Sequence, residues 1–288
     1  MSNNERLNIL LITGTVTREH DFHTINDMLV TLLESTGRFK VKITEQFDGA
    51  TKKSLESYDA VLINYDGKYY MTDPLAVFED TTMEALRDFV AEGKGAVFFH
   101  SSLIIEKDWP DYYREMAGAY CSFEHGSRKN PKSDAMITMA NLEHPITKGM
   151  SKEWMAVEDD FFASVTKHPD SHVQVLATFD DNVDDYVHVP GFADCYQPQN
   201  VDIEKVKQYS NVGQKTPCVW INNYGKGRTF CTTLGHSDGT IKRVNYLTMF
   251  VRGVEWAATG EVTLDFPDRS GDKRLWSWPF YKNGRKDL

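Results

Sequence analysis

Three stretches of the chain are apolar almost throughout and have the length of a strand: "LNILLIT" at 7–13, "AVLIN" at 60–64 and "AVFFH" at 96–100. Strands that are apolar on both faces belong in a parallel sheet covered by helices on either side. Helical periodicity fills the gaps. In "TINDMLVTLLESTG", Ile25, Met28, Leu29, Leu32 and Leu33 recur at i, i+3, i+4, i+7 and i+8, and Gly37 stands where a C-cap is expected. In "DTTMEALRDFVAEG", Met83, Leu86 and Val90 share a face, Thr81 and Glu84 have capping-box spacing, and Gly93 closes the segment. With "VKIT" (41–44) as a shorter strand, the alternation predicts an α/β fold. Its expected form is a wound, mostly parallel sheet flanked by helices.

The second half is less regular. "DAMITMA" and "HVQVLATF" read as strands, and "CVWINNYGKGRTFCTTL" as a hairpin turning at "YGKG". A last helix is expected over 241–258, with Val244, Leu247, Val251 and Val254 on one side. Residues 181–215 are polar and poorly periodic, an insertion within the domain that reads as a loop or lid. Residues 266–288 form a tail with Trp276, Trp278 and Phe280, expected to dock on its own or a neighbouring subunit, so a homo-oligomer is open. No repeat, low-complexity tract or linker appears, and residues 1–265 read as one domain.

Charge and cysteines narrow the function classes. A net charge of −10 and a pI near 5.4 argue against a nucleic-acid surface, which needs a basic footprint. Cys121, Cys195, Cys218 and Cys231 are too scattered for a zinc knuckle or a redox CxxC pair. The first apolar run is too short for a membrane span or signal peptide, so a cytoplasmic protein without membrane contact is expected.

Chemistry-bearing residues gather where strands end. Arg18, His20, Asp21 and His23 follow the first strand, and Asn64 and Asp66 follow "AVLI". His100, Ser101 and Ser102 follow "AVFF", and "GHSDG", with His236 and Asp238, follows "TFCTTL". Ligands of wound parallel sheets sit beyond the carboxyl ends of the strands, so these four loops are expected to share one rim. Singly, each piece has a plainer reading. Asp21 suits a helix N-cap, Asp66-Gly67 a turn, Ser101 or Ser102 a cap, and His125 in "CSFEHGS" a surface loop. Glu158, Asp159 and Asp160 suit a solvated acidic run. Tyr65, Tyr69, Tyr70 and Trp109 suit stacking on a sugar ring.

Taken in order, "TGTVTREHD", "GKGAVFFHSS", "AGAYCSFEHG", "HPITKGM", "EDDFF", "YGKGRTFCTTLGHSDG" and "RGVEWAATG" resemble the trehalose-utilisation (ThuA-like) family over about residues 7–260. The resemblance implies the flavodoxin-like fold of class I glutamine amidotransferases and a role in disaccharide or glycoside catabolism. It also implies 3-keto-sugar substrates made by a partner dehydrogenase. Where amidotransferases of this fold carry a nucleophilic cysteine, this chain reads "FFHSS", so glutamine hydrolysis through a thioester is not expected. No GxGxxG follows the first strand, so the chain is not expected to be that dehydrogenase itself.

A 3-keto group acidifies the C2 proton, so a base can abstract it while the glycosidic oxygen leaves. Histidine suits both acid and base roles. The expected centre is His20, His100 and His236, with a carboxylate from Asp21, Glu158 or Asp238. It would act directly or as a mixed shell for zinc or manganese. Arg18, Tyr65, Asp66, Ser101, His125, Glu158 and Asp159 are the expected substrate contacts, giving hydrolase- or lyase-type cleavage. A sugar isomerase and a non-catalytic sugar-binding or regulatory protein are the competing readings.

Overall fold

The computed structural model describes residues 6–14, 20–67, 77–122, 129–162, 165–183, 204, 207–208 and 212–265. Arg18, Lys68, Tyr69, Tyr70, His125, most of the 181–215 insertion and the 266–288 tail lie outside them.

The apolar runs become the centre of a nine-stranded sheet ordered β2-β1-β3-β4-β11-β10-β9-β6-β7. Strands β1 (Leu7–Thr13), β2 (Phe39–Thr44), β3 (Ala60–Asn64), β4 (Gly95–Phe99) and β11 (Gly227–Thr232) are mutually parallel. Strands β10 (Lys215–Tyr224), β9 (Gln174–Asp180), β6 (Lys129–Met139) and β7 (Glu153–Phe161) continue the sheet antiparallel. A separate two-stranded ribbon joins β5 (Ala119–Tyr120) to β8 (Thr166–Lys167). Every residue of β3 and β4 is buried, as two-sided coverage requires.

One face packs on α1 (Phe22–Ser35) and the closing helix α6 (Val244–Thr259), through Leu29, Leu33, Phe250 and Val254. The other packs on α2 (Lys52–Leu55), α3 (Asp80–Ala91) and α4 (Asp111–Ala117), through Leu55, Leu86, Val90 and Met116. Helix α6 comes close because Gly253 has no side chain; a Cβ there would stand 2.6 Å from the Phe230 ring.

Three local expectations need correction. The Thr81–Glu84 capping box is not formed, since α3 already starts at Asp80, with the Met83 N–H donating to the Glu79 carbonyl at 2.9 Å. The last helix does not run unbroken from 241. A short α5 (Asp238–Ile241) ends first, and extended Arg243 starts α6 at Val244. Strand β7 includes Glu158, Asp159 and Asp160, which by sequence suit a solvated acidic run. Alternation is broken there by a register shift against β6 and by Glu158, whose φ is +54°.

His144 lies in the β6–β7 connection, its ring 5.6 Å from that of Trp256, and its Nδ1 accepts the Ile146 N–H at 3.3 Å. Burial holds this imidazole below its ordinary value, so the folded state favours the neutral ring. A depressed histidine contributes stability above the ordinary imidazole range, and that contribution is lost as pH falls through the folded value. The stability advantage of wild type over His144→Ala, measured by urea unfolding, should therefore shrink between about pH 8 and about pH 5. An advantage that grows on acidification would contradict this.

Candidate metal centre

All four polar loops open at the carboxyl ends of parallel strands. Their order, β2-β1-β3-β4-β11, reverses direction between β1 and β3, which is where such sheets form a crevice. A buried chain fastens the β1 and β3 ends together. The Asn64 amide donates to Asn26 Oδ1 (2.8 Å), and the Asn26 amide donates to Thr13 Oγ1 (2.9 Å).

His20, after β1, lies buried with Nδ1 3.0 Å from Asp66 Oδ2, after β3. The carboxylate accepts the Nδ1 proton, so Nε2 is the nitrogen His20 offers as a ligand. His100 stands where β4 turns into the single 3₁₀ turn His100–Leu103, with φ at +45°. A left-handed non-glycine residue costs about 1–2 kcal/mol, so the surroundings must hold it there. The Thr233 carbonyl contributes by accepting the Nδ1–H at 2.6 Å. A carbonyl can only accept, so in the neutral ring Nε2 carries the lone pair, and it lies 2.9 Å from His236 Nδ1.

The rings of His20, His100 and His236 lie 4.9–5.2 Å apart, centroid to centroid. One nitrogen from each falls within 4.8 Å of the others. Nitrogens on a tetrahedral zinc, bonded at ~2.0–2.1 Å, stand about 3.3 Å apart. To hold an ion, the 2.9 Å His100–His236 pair would have to open by a few tenths of an ångström, with the His236 proton on Nε2. Aromatic walls flank the group, with Phe22 5.5 Å from the His20 ring and Phe162 4.9 Å from the His100 ring.

His236 is aimed by Asp159. This carboxylate is fully buried and accepts the N–H groups of Gly235 (3.0 Å), His236 (2.9 Å) and Asp160 (2.9 Å). Burial pushes its carboxyl up to about 6, against the pull of those N–H groups and the Thr240 hydroxyl. The turn it grips also needs Gly235. The φ there is +111°, and a Cβ would stand 2.5 Å from the Phe99 ring.

Of the expected substrate contacts, Asp66 bonds His20 and Ser101 lies beside His100, while Tyr65 and Glu158 turn elsewhere. Asp159 has no surface to offer and instead positions the His236 turn. Tyr65 is fully buried, stacked on Phe78 at 4.9 Å, and Trp109 is stacked on Tyr113 at 4.5 Å, so neither ring is open to a sugar. Asp21 caps α1, accepting from the Thr24 N–H (3.1 Å) and hydroxyl (2.7 Å). Asp238 opens α5, exposed, and pairs with Lys242. Glu158 is exposed, its backbone tied to Asp134 and Ser237. Ser101 and Ser102 are buried beside His100, and their hydroxyls have no hydrogen-bond partner among the described residues. Cys121 is buried and its thiol is pushed far up by that burial, which removes it as a nucleophile. The Thr233 carbonyl, Phe22 and Phe162 carried no sequence signal. Asp159 did, in the two phenylalanines that follow "EDD", since a solvated acidic run does not lead into a buried aromatic pair.

Strand order and a site at the strand ends define an α/β protein of the flavodoxin-like wound class. The sequence profile described as trehalose utilisation, ThuA, matches residues 8–257, and the chain belongs to that family. A ThuA-like protein of Parabacteroides merdae is 20% identical with a TM-score of 0.67, over 92% of this chain and 94% of that one. One from Bacteroides uniformis is 17% identical with a TM-score of 0.65, over 91% and 96%. The carbohydrate deacetylase Agd3 is 12% identical with a TM-score of 0.52, over 87% of this chain but 32% of its own length. Among curated proteins, none matches the chain in sequence. No helix of the described residues is long and apolar enough to cross a membrane.

Proposed function

We propose that the chain is a carbohydrate-catabolic enzyme that cleaves a 3-keto-glycoside or 3-keto-disaccharide at a centre built on His20, His100 and His236. The observation that carries this reading is the convergence of three imidazoles, from the ends of three different parallel strands, within 4.8 Å. Three imidazole nitrogens suit zinc better than manganese, which prefers oxygen donors, and a divalent ion held there would supply positive charge for polarising a substrate carbonyl. The family description supports a sugar as substrate.

Removing the proton from C2 of the keto-sugar forms the C1–C2 double bond as the C1–O bond breaks, and the departing oxygen takes up a proton. Addition of water to that product completes a hydrolysis. With the imidazoles holding an ion, Asp66, which accepts the His20 Nδ1 proton, would orient that ligand and raise its basicity. Phe22 and Phe162 lie against the His20 and His100 rings and would keep water from that flank. A second, metal-free reading is favoured by the direct His100–His236 contact of 2.9 Å, which would serve as an acid–base pair. A sugar dehydrogenase would supply the 3-keto substrate. Cys121, Cys218 and Cys231, the cysteines among the described residues, are free and buried, which fits a reducing, cytoplasmic setting.

Protein purified without chelator or nickel resin should carry about one equivalent of zinc or manganese by elemental analysis. It should also release aglycone from a 3-keto-glycoside while leaving the unoxidised glycoside intact. Turnover without metal would move the reading to the histidine pair. Sugar binding with no product would leave a binding protein, and aldose–ketose interconversion without aglycone loss an isomerase.

A further inference from the structure

The connection that carries His100 also returns to the neighbouring loop after β3. It runs from the 3₁₀ turn to α4 and is pinned along its length. The Ile104 N–H donates to the Ser101 carbonyl (3.0 Å), the Ile105 N–H to Cys121 (2.9 Å) and the Trp109 N–H to Glu106 (3.1 Å). Arg114 of α4 adds a tie, its guanidinium donating to the Glu106 carbonyl at 2.7 Å. Trp109, buried at the end of this segment, is therefore set in place by the same stretch of chain that presents His100.

Its indole touches the residues on either side of Asp66. The ring meets that of Tyr65 edge-on, centroids 6.4 Å apart, and lies against Gly67. A Cβ on Gly67 would stand 3.2 Å from Trp109 Cζ2 and 3.5 Å from Nε1, and φ there is +83°. Glycine thus permits both the turn and the close approach of the indole. Behind this contact the indole stacks on Tyr113 at 4.5 Å, and Tyr113 packs edge-on against Phe98 of β4 at 5.2 Å. The Trp109 Nε1–H is buried and has no hydrogen-bond partner among the described residues. A lone buried donor only costs stability, so it does not explain a tryptophan here; the reach of the six-membered ring to Gly67 does.

We infer that Trp109 is a positioning residue of the histidine centre. It holds the Tyr65–Gly67 turn so that Asp66 meets His20 Nδ1, and it ties that turn to the connection bearing His100. The inference rests on the reading of this centre as a metal site only for its affinity arm. The test compares wild type with Trp109→Phe, which keeps a ring on Tyr113, loses no hydrogen bond and gives up the contact with Gly67. In metal-free protein above the imidazole range, ring-nitrogen NMR should show His20 protonated at Nδ1 in wild type. In Trp109→Phe the ring should exchange between tautomers, while His100 and His144 keep theirs. Zinc affinity by calorimetry should fall about tenfold in Trp109→Phe. Made in an Asp66→Asn background, the same change should cost less than about twofold, because the route through Asp66 is already cut. An equal fall in both backgrounds, or an unshifted His20 tautomer, would overturn the proposal, whether or not the urea midpoint drops. If wild type binds no zinc, the metal reading fails, and the His20 tautomer alone supports or overturns this role for Trp109.

Discussion

His100→Ala should leave the purified protein with almost no bound metal and no turnover of a 3-keto-glycoside. His100 occupies the elbow after β4, Thr233 orients its ring, and its Nε2 is the nitrogen turned to His236. No neighbouring side chain replaces it, since Ser101 and Ser102 follow and the nearest sequence cysteine, Cys121, is buried as a thiol. His20→Ala and His236→Ala should match it, with affinity for zinc lower by more than about 100-fold in each. Asp66→Asn, which loosens His20 without removing it, should cost about 10–100-fold. The elbow adds a stability signature. At φ +45° alanine keeps the backbone strain and glycine relieves it, so His100→Gly should be more stable than His100→Ala by about 1 kcal/mol, against the usual order of the two residues. Calorimetric titration with zinc and urea unfolding read the two effects. Full metal content in any of the three alanine variants would remove that histidine from the centre.

The second large effect is expected far from any ligand atom. Asp159→Ala deletes the acceptor for the Gly235, His236 and Asp160 N–H groups, and a buried donor left unsatisfied costs about 1–3 kcal/mol. A loss of at least about 3 kcal/mol is expected, together with weaker metal binding, because the turn that presents His236 is no longer held. Asp159→Asn retains one acceptor oxygen but turns an NH₂ toward a donor, so its loss should be intermediate. The two variants should rank identically in urea midpoint and in zinc affinity. An Asp159→Ala protein as stable as wild type, with unchanged affinity, would reduce the carboxylate to a bystander.

Much of the fold was legible because the relevant forces are local in sequence. The unbroken apolar runs of β1, β3 and β4 and the 3.6-residue stripe of α1 announce both element type and two-sided burial. Legibility failed where tertiary contacts overrode the local pattern. The shifted register of β7 hid a strand behind "EDDFF", and the Glu79 carbonyl started α3 before its apparent cap.

At the site, sequence pointed to histidines at strand ends but assigned the carboxylates by proximity along the chain. Asp21 and Asp238, each beside or near a key histidine in sequence, cap and pair within their own helices. Asp66, 46 positions from His20, supplies the partner, and Asp159, 77 from His236, supplies the clamp. Tyr65 shows the same limit, because a tyrosine beyond a strand end reads identically whether its ring meets solvent or Phe78.

The chain's own order of apolar and polar residues thus determined a wound α/β sheet and which loops carry imidazoles, since periodicity and strand length depend on neighbours a few residues apart. Only the tertiary structure decided that three of those imidazoles meet, which nitrogen each turns inward, and which carboxylates hold them. Those choices rest on contacts across 46 to 136 residues, where hydrogen-bond geometry and desolvation, invisible to any local pattern, select the partners.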